Sequence, residues 1–435
     1  MTWRLDRRSF VKAGSAAVVG ALTTRRAKAG DERNTVRVGL VGVGYRGSNL
    51  LRILPAIEGV EVRALCDVIA GRVQAAQEAV TKAGGKKPEG YTKGEEDYLR
   101  LMAREDLDAV LIATPWEWHT RMAVAGMKAG KYVGVEVPAA LKLKECWELV
   151  NTSVETGKPC MVLENWSFRR DNLAVLNMIR KGLLGAITHC HCSYSHNFVR
   201  LMLDRKDKAN WAIKHVMTQN GSQYVNHGLG PVLSWMNINC GDRFSYLTST
   251  ATRTAALYDQ LKRLYGAYHP MAMLKYAQGD IVTTVVKTEM GSTLVVNYDT
   301  QTPRPYDNRW MAQGTRGIYD EAHKSVYLEG VSPKREQWEP FEPYQAEYEH
   351  SWWKELTQEQ QKFGHEGTDY VELFRFIKAV RDRTQTPLDV YDSATMASIV
   401  ELSELSIAKR SAAVDCPDFT RGQWKNRKPT FAVEG

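Results

Sequence analysis

The first part of the chain alternates short apolar runs with segments of helical periodicity. The apolar runs, each rich in β-branched residues and short enough to form a strand, occupy residues 35–41, 60–65, 108–115 and 132–135. Between the last two runs, apolar side chains recur at Met122, Ala125 and Ala129, which is the spacing of one face of a helix. Repeated strand-helix-strand units predict a parallel sheet that binds ligands at the carboxyl ends of its strands.

From about residue 186 the pattern changes to alternating apolar and polar side chains, which is typical of half-buried strands. Strands are predicted at residues 188–195, 244–252, 281–289 and 292–300, and helices at 344–361, 374–380 and 393–408. The predicted fold class is therefore α/β. A Rossmann-type doubly wound parallel sheet at 30–160 precedes an α+β domain, with an open mixed sheet and C-terminal helices, at 161–435.

A glycine-rich loop joins the first predicted strand to the first predicted helix. Gly42 allows a sharp turn, Gly44 lets the main chain approach a pyrophosphate, and Gly47 lets the helix lie close to the strand. Asp67 follows the second strand, where a carboxylate accepts hydrogen bonds from the adenosine ribose and repels a 2′-phosphate. This pairing predicts NAD as the cofactor. The alternative is that Asp67 only caps the helix that follows it.

Positive charge is concentrated at the N-terminus. The formal net charge is +8, but the first 29 residues hold seven Lys or Arg and one acid, so they contribute +6 and the remainder +2. Because no basic surface remains to neutralise phosphates, a nucleic-acid partner is not predicted. The pair Arg7-Arg8 and the ending Ala27-Lys28-Ala29 resemble a twin-arginine export signal at 1–29. This predicts a periplasmic or secreted protein, free of the membrane after cleavage; a disordered basic tail is the alternative.

The seven cysteines contain no Cys-x-x-Cys pair and are predicted to be free and buried, since a protein exported by this route folds in a reducing cytoplasm. The run His189-Cys190-His191-Cys192 has the residue types of a metal site. Alternation along a strand sends its histidines to one face and its cysteines to the other, so no metal site is predicted.

Three motifs resemble the glucose-fructose oxidoreductase and inositol dehydrogenase superfamily: the glycine loop, Ala113-Thr114-Pro115 with His119, and Gly134-Val135-Glu136-Val137-Pro138. Dehydrogenases of that superfamily usually carry Glu-Lys-Pro in the last motif, where the lysine polarises the hydroxyl that is oxidised. Here Val137 takes the place of that lysine, and a valine side chain neither donates a hydrogen bond nor relays a proton. Ordinary alcohol dehydrogenation by that route is therefore not predicted.

A narrower set of motifs comprises Gly44-Tyr45-Arg46-Gly47, Trp116-Glu117-Trp118-His119, Glu136-Val137-Pro138, Leu163-Glu164-Asn165, His227-Gly228-Leu229-Gly230-Pro231 and Thr302-Pro303-Arg304-Pro305-Tyr306. This set resembles glycoside hydrolase family 109, whose known activity is the release of N-acetylgalactosamine with a retained NAD. With the glycine loop and Asp67, the resemblance implies that NAD is bound by Gly42, Gly44, Tyr45, Arg46, Gly47, Asp67, Thr114, Trp116, Glu117, Trp118, His119, Glu136, Val137, Asn165 and Tyr224. It implies that the carbohydrate is bound by Tyr194, Tyr224, Val225, Asn226, His227 and Tyr306.

Two departures from the family pattern leave the sugar open. The family has an arginine after a tryptophan ahead of its His-Gly-Leu-Gly-Pro motif, whereas this chain reads Trp211-Ala212, with Lys214 nearby. The family's Tyr-Pro-Thr-His is Tyr224-Val225-Asn226-His227 here. Lysine does not reproduce the planar array of donors that an arginine presents. The predicted substrate is therefore a glycoside of N-acetylgalactosamine or of a related sugar.

A sugar held against NAD predicts cleavage by transient oxidation. Oxidising the C3 hydroxyl acidifies the C2 proton, removal of that proton expels the C1 substituent, and water addition with re-reduction at C3 completes hydrolysis. His227 is the candidate for the C3 hydroxyl proton, and Tyr194 and Tyr224 are candidates for the C2 base and the acid at the leaving oxygen, in either order. The alternatives are a periplasmic sugar oxidoreductase and a non-catalytic sugar-binding protein. The sheet domain is the predicted contact of a homo-oligomer.

Overall fold

Two β-sheets, one parallel and one mixed, organise the protein. The computed structural model describes residues 34–199 and 211–434, and from Val36 onward the chain forms one compact unit. The predicted export signal at 1–29 lies outside the described residues. Within the two described ranges, no helix is both long and apolar enough to span a membrane.

The N-terminal sheet has six parallel strands in the order β3-β2-β1-β4-β5-β6. These strands are β1 (Val36–Val41), β2 (Val60–Cys66), β3 (Glu89–Tyr91), β4 (Ala109–Ile112), β5 (Tyr132–Glu136) and β6 (Cys160–Leu163). All four residues of β4 are fully buried, as expected for a strand covered on both faces. The strand order reverses between β1 and β4, and such a reversal creates the crevice in which doubly wound sheets bind nucleotides. The predicted Rossmann-type fold is confirmed.

Helices connect successive strands of this sheet. They are α1 (Tyr45–Ile53), α2 (Ala70–Lys82), α3 (Tyr98–Met102), α4 (Trp116–Lys128) and α5 (Leu143–Thr156). A short 3₁₀ turn at Asn165–Phe168 follows β6 and leads into α6 (Arg170–Arg180). The glycine loop, Asp67 and Glu164 thus directly follow β1, β2 and β6, respectively, and Glu136 is the last residue of β5.

The second sheet has nine strands in the order β14-β13-β12-β11-β7-β10-β9-β8-β15. They are β7 (Ile187–Ser195), β8 (Phe244–Ala251), β9 (Val282–Thr288), β10 (Thr293–Asp299), β11 (Met311–Gly314), β12 (Gly317–Asp320), β13 (Ser325–Leu328), β14 (Glu339–Pro340) and β15 (Val414–Asp415). Strands β7 and β10 pair in parallel and the other pairs are antiparallel, so the predicted mixed sheet is confirmed.

Strand β7 shows the predicted alternation. Cys190 and Cys192 are fully buried, whereas His189 and His191 hydrogen-bond to Thr293 Oγ1 and Asn297 Oδ1 on the neighbouring strand β10. All seven cysteines belong to the described part of the chain and are free; six are buried and Cys240 is partly buried. The histidines and cysteines of β7 therefore face different surroundings, as a strand requires.

The described residues after α6 also form helices α7 (Trp211–Thr218), α8 (Asn226–Trp235), α9 (Ala256–Tyr265), α10 (Pro270–Met273), α11 (Glu342–Glu347), α12 (Ser351–Lys354), α13 (Thr368–Asp382) and α14 (Val390–Ala408). The prediction of one continuous helix at 344–361 is wrong. His350 has an extended main chain with ψ of 143°, and its ring nitrogen accepts the N–H of Trp352. Helix α11 has already ended at Glu347, and this buried side-chain cap starts α12 at Ser351, although the apolar spacing stays helical throughout.

Candidate functional site

The glycine loop at the carboxyl end of β1 forms a cradle for an anion. A Cβ at Gly42, whose φ is +85°, would lie 2.5 Å from the Ala113 carbonyl oxygen, and one at Gly47 would lie 1.8 Å from the Gly42 oxygen. At Gly44 the nearest atoms to a Cβ belong to the Arg72 guanidinium, 3.6 Å away. The loop opens onto the N-terminus of α1, which has no side-chain cap, so its N–H groups are available to a pyrophosphate. These residues fit NAD.

Asp67 stands beside the same loop and has two structural contacts. Its Oδ2 accepts the N–H of Val43 at 3.0 Å, and its Oδ1 accepts the N–H of Ile69 at 2.9 Å, at the start of α2. The capping alternative is therefore realised in part. A carboxylate has about four acceptor positions, so room remains for the ribose hydroxyls. Arg72 lies 3.9 Å from Asp67 Oδ1.

Arg46 is enclosed by acidic side chains. Its Nε donates to Glu136 at 2.5 Å and its Nη1 to Asp369 at 2.8 Å, while Glu372 lies 3.8 Å from Nη2. Asp369 also accepts the side-chain amide of Asn165 at 2.7 Å. The structure thus brings together three predicted cofactor residues, Arg46, Glu136 and Asn165, through a helix that the sequence analysis did not connect with the site.

Charge in this cluster is balanced by protonation as well as by pairing. Burial alone would raise the pKa of Asp369, but Arg46 and His365 hold that pKa well below its usual range. Burial raises the pKa of Glu372 well above its usual value, more than Arg46 lowers it, so Glu372 is the neutral acid of the group. The cluster therefore contains two carboxylates, Glu136 and Asp369, that share the Arg46 guanidinium.

The stretch Trp116-Glu117-Trp118-His119 is the first turn of α4, and its side chains point in different directions. Trp116 stacks on Tyr224, with ring centroids 5.3 Å apart and planes at 16°, whereas Trp118 packs against Tyr98. Both ring nitrogens of the buried His119 contact carbonyl oxygens, those of Pro138 and Thr114. Trp116 is thus the side chain of this turn that contacts a predicted sugar residue, Tyr224.

The three candidate catalytic side chains lie together next to this turn. Tyr194 at the end of β7, Tyr224 just before α8 and His227 in its first turn have ring centroids 5.2 Å apart in every pairing. Tyr306 completes the group, with its ring 6.1 Å from that of Tyr194. Trp116 joins this aromatic group to the nucleotide-binding half through its stacking on Tyr224.

Glu164, at the end of β6, is the partner of His227. The two side chains meet at 2.8 Å between Glu164 Oε1 and His227 Nδ1. Glu164 is completely buried and also accepts the N–H of Trp166 and both the N–H and the hydroxyl of Ser167. All these partners are donors, so Glu164 is the acceptor for an Nδ1–H, and the other nitrogen, Nε2, is left as a proton acceptor.

Gly230 makes the approach of Glu164 possible. A Cβ on this glycine would lie 1.8 Å from Glu164 Oε2 and 2.4 Å from the Ser167 hydroxyl. Gly228 similarly allows α8 to approach β7, because its Cβ would lie 2.8 Å from the Ser193 carbonyl oxygen. The two glycines of the His-Gly-Leu-Gly-Pro sequence therefore set the position of His227.

The remaining predicted sugar residues differ in exposure. Val225 and Asn226 are fully buried, and both side-chain atoms of the Asn226 amide have no hydrogen-bond partner among the described residues. Tyr306 is 45% exposed. Burial raises the pKa of Tyr194 and Tyr224 well above the usual phenol value, so both are held as protonated hydrogen-bond donors.

His196 is a neighbour that the sequence analysis missed. Its ring lies 4.9 Å from that of Tyr194 and 5.1 Å from that of Tyr306. Burial, together with the nearby His227, lowers the pKa of His196 to about 4. His196 follows Tyr194 by two residues, and residues two apart on an extended segment lie on the same face. This spacing is the sequence signal that could have identified His196. No comparable local signal identified Asp369, which lies more than 300 residues from Arg46.

Family models match both halves of the chain. Residues 36–164 match the NAD-binding Rossmann fold of the Gfo/Idh/MocA oxidoreductase family, and residues 168–426 match the C-terminal domain of glycosyl hydrolase 109. The predicted division at 160/161 stays a prediction. Among curated proteins, an alpha-N-acetylgalactosaminidase of Tannerella forsythia is 38% identical over 98% of this chain and 99% of its own. A glycosyl hydrolase family 109 protein of Stenotrophomonas maltophilia is 37% identical over 99% of each chain.

Solved structures share the fold at low identity. A levoglucosan dehydrogenase in complex with NADH is 18% identical with a TM-score of 0.66, covering 88% of this chain and all of its own. A scyllo-inositol dehydrogenase of Lactobacillus casei, with bound NAD(H) and scyllo-inositol, is 13% identical with a TM-score of 0.62, covering 88% of this chain and 99% of its own. The fold is that of these oxidoreductases, and the matched domain and relatives show that the chain belongs to glycosyl hydrolase family 109, with an NAD-binding Rossmann domain.

Proposed function

We propose that this protein hydrolyses glycosides of N-acetylgalactosamine, or of a related sugar, by transient oxidation at C3. The observation that carries the proposal is the group formed by Tyr194, Tyr224 and the Glu164–His227 pair, which lies against Trp116 of the nucleotide-binding half. In this proposal these side chains handle the protons of the reaction beside the bound cofactor. The alpha-N-acetylgalactosaminidase relative supports the choice of sugar.

The residues that would hold NAD are the main chain of the glycine loop, Asp67, the first turn of α4 and the cluster around Arg46. When bound, NAD supplies the acceptor and later the donor of the C3 hydrogen. Val137 is buried at the position of the usual dehydrogenase lysine, so the proton of the C3 hydroxyl needs another acceptor. His227 fills that role in this proposal.

His227 accepts the C3 hydroxyl proton at Nε2. Glu164 fixes the ring through Nδ1 and stabilises the imidazolium that forms, in the same way that a buried carboxylate orients a catalytic histidine in hydrolases. Because Glu164 is itself held by Trp166 and Ser167, the ring is oriented before substrate arrives. The same histidine returns its proton when the C3 hydroxyl is regenerated.

Tyr194 and Tyr224 supply the acid at the leaving oxygen and the base at C2. The raised pKa of both phenols suits the acid, because a neutral phenol holds the proton that the leaving oxygen requires. The tyrosine that acts at C2 can accept the C2 proton only as a phenolate, so its phenol proton has to pass to solvent before that step. Substituting each tyrosine by phenylalanine assigns the two roles. Without the acid, substrates with good leaving groups should still be cleaved, whereas without the base their cleavage should also be lost.

In this proposal, selectivity among sugars depends on the part of the site at which this sequence differs from the family pattern. Trp211 lies against Trp116, with ring centroids 5.0 Å apart, so α7 borders the aromatic group. Ala212, next in sequence, leaves this border without the guanidinium of the family pattern. We therefore expect a panel of nitrophenyl glycosides to include N-acetylgalactosaminide among the cleaved substrates, with a different ranking from that of relatives that retain the arginine.

Cleavage in heavy water tests the mechanism. We expect the released sugar to carry deuterium at C2, because the abstracted proton exchanges with solvent, and to keep its original hydrogen at C3, because that hydrogen never meets solvent. Mass spectrometry and NMR of the product distinguish the two positions. Cleavage that continues in protein stripped of NAD and leaves C2 unlabelled would overturn the proposal. Lasting conversion of one sugar to an oxidised product would instead identify a sugar oxidoreductase.

A further inference from the structure

A second histidine–carboxylate pair lies at the start of α13. His365 Nδ1 is 3.0 Å from each carboxylate oxygen of Asp369, and the His365 side chain is 48% exposed whereas that of Asp369 is 1% exposed. Because Asp369 also pairs with Arg46 and is ionised, the ring hydrogen is on Nδ1. The neutral ring therefore presents Nε2 as an acceptor. Within the part of the chain that the structure describes, Nε2 has no hydrogen-bond partner.

The segment that carries this histidine has an unusual main chain. His365, Glu366 and Gly367 are consecutive residues with φ of +48°, +57° and +93°. Residues other than glycine rarely adopt this left-handed region, and such strain is concentrated at functional sites. Gly364 leaves room for the pair, because a Cβ there would lie 2.3 Å from Asp369 Oδ2. The main chain is therefore strained in the conformation that brings His365 to Asp369.

Asp369 joins this histidine to residues that are predicted to bind NAD. It accepts the Arg46 guanidinium at 2.8 Å and the side-chain amide of Asn165 at 2.7 Å. Arg46 follows β1 and Asn165 follows β6, whereas Asp67, at the predicted adenosine ribose, follows β2 on the other side of β1. A dinucleotide lies across the carboxyl ends of such a sheet, with its diphosphate at the glycine loop. The histidine is therefore on the side of the nicotinamide half.

His365 also borders the aromatic group. Its ring lies 5.3 Å from that of Trp166, with the planes at 68°, and the Trp166 ring lies 6.4 Å from that of His227. The half-exposed ring thus adjoins both predicted cofactor residues and the proposed catalytic residues. An acceptor without a partner at this place suits a hydroxyl donor, and the ribose of the nicotinamide half carries hydroxyl groups.

We propose that His365 Nε2 accepts a hydrogen bond from a hydroxyl group of the nicotinamide ribose and thereby slows the release of NAD. Asp369 orients the ring through Nδ1, so that Nε2 is directed before the cofactor binds. The inference goes beyond the proposed function, because it concerns retention of the cofactor and holds whichever reaction the bound NAD serves.

Two amide substitutions separate the roles of the two ring nitrogens. His365→Asn keeps a donor at the position of Nδ1, facing Asp369, and has no atom at the position of Nε2, whereas His365→Gln places its amide at the position of Nε2. His323→Asn is the matched control, since His323 Nδ1 lies 3.1 Å from Asp320 and the side chain is 62% exposed, in the turn after β12. Each protein is saturated with NAD and desalted, and the release of NAD is followed over time by an assay of free NAD, without any sugar.

We expect His365→Asn to release NAD about tenfold faster than wild type, which is the scale of one lost hydrogen bond. His365→Gln should release it at most about threefold faster, because its amide replaces the acceptor, and His323→Asn should match wild type. Release from His365→Asn at the rate of wild type would overturn the proposal. So would release from His365→Gln at least as fast as from His365→Asn, since the ring would then act only through Asp369. Neither result depends on cleavage of a glycoside, so a failure of the proposed function is measured separately.

Discussion

The position of a single histidine depends on residues from two separate elements. His227 lies in the first turn of α8, its partner Glu164 follows β6, and Gly230 leaves the space that Glu164 occupies. The sequence motifs contained all three residues, and His227 was predicted as a proton acceptor. The pairing with Glu164 was not predicted, because 63 residues separate the two and no local spacing relates them.

Replacing Glu164 by Gln should lower kcat by roughly 10²-fold with little change in KM, since the variant removes the charge that stabilises a protonated His227 in the transition state. Steady-state kinetics with a nitrophenyl glycoside measure both constants. Ser167→Ala is the control: it removes one hydrogen bond to Glu164 and leaves the contact with His227. A Glu164→Gln variant that is folded and has the kcat of wild type would exclude the assigned role.

His196 should make the protein less stable as the pH falls. Its folded-state pKa of about 4 lies below the unfolded value of about 6.5, so the folded state favours the neutral ring. The resulting stabilisation is present above pH 6.5 and is lost progressively as the pH falls from 6.5 through 4. Between pH 7 and pH 5 the loss amounts to roughly 1–2 kcal/mol.

Urea unfolding at pH 7 and pH 5 measures this change, and His196→Phe supplies the comparison, because a phenylalanine ring has a similar shape and no titrating group. We expect the variant to lose less stability over that range by the same roughly 1–2 kcal/mol. Equal pH dependence in the two proteins would show that His196 is not the group responsible.

At the scale of elements, the sequence predicted regular strands and helices better than short ones. Strands β7 to β10 were found because side-chain alternation extends over at least seven residues in each. Strands β11 to β15 were missed, since each has two to four residues and offers too few positions to establish a period. The helix predicted at 344–361 failed for the opposite reason: its apolar spacing continues across the His350 cap.

Helix α13 forms a buried ion pair with Arg46 of the glycine loop, which lies more than 300 residues earlier in the chain. Asp369 at its start is 1% exposed and binds Arg46 and Asn165, whereas Asp382 at its end is 40% exposed and pairs with Lys378. Asp369→Ala should therefore destabilise the protein by about 3–5 kcal/mol, the usual cost of breaking a buried ion pair, and Asp382→Ala by about 1 kcal/mol or less.

Chemical unfolding of both variants, with NAD present and absent, checks this prediction. If Asp369 also supports the cofactor site, its variant should retain less NAD through purification, while Asp382→Ala should retain as much as wild type. Equal destabilisation by the two substitutions would contradict the assignment of α13 as the link to the glycine loop.

At the scale of the whole molecule, the C-terminal helices complete the nucleotide-binding half. The Ser393 hydroxyl of α14 accepts the N–H of Val162 in β6, and Glu401 accepts the N–H of Leu143 at the start of α5. The sequence predicted the two folds and the residues at the strand ends. It did not predict which distant segments cover them, because these contacts join surfaces with no shared periodicity.

Removing NAD should destabilise the entire protein. A ligand that binds the folded state alone adds about 2.7 kcal/mol at 100 times its Kd, so protein stripped by partial denaturation should unfold at a lower temperature than untreated protein. Added NAD should restore Tm and NADP should not, because a carboxylate at the predicted ribose position of Asp67 would repel a 2′-phosphate. Scanning calorimetry measures both effects. Restoration by NADP would instead assign the nearby Arg72 to a phosphate.

Asp67→Ala extends the same measurement. It should weaken NAD binding by roughly 1–3 kcal/mol. Because Asp67 also accepts the N–H groups of Val43 and Ile69, the variant should lose stability even when it is stripped of NAD. Comparing variant and wild type without NAD separates the two contributions, and identical unfolding of the two stripped proteins would contradict the structural role.

The glycine at position 230 has a consequence for the variation that natural selection tolerates. Any side chain at position 230 would collide with Glu164 and Ser167. Residue 230 itself is buried, and its atoms take no part in the proposed reaction. A saturation library scored for activity should therefore show position 230 to be as intolerant as position 227, even toward alanine. A list of tolerated substitutions would therefore group residue 230 with the catalytic residues. The structure gives the reason: the absence of a side chain at position 230 leaves the space that Glu164 occupies.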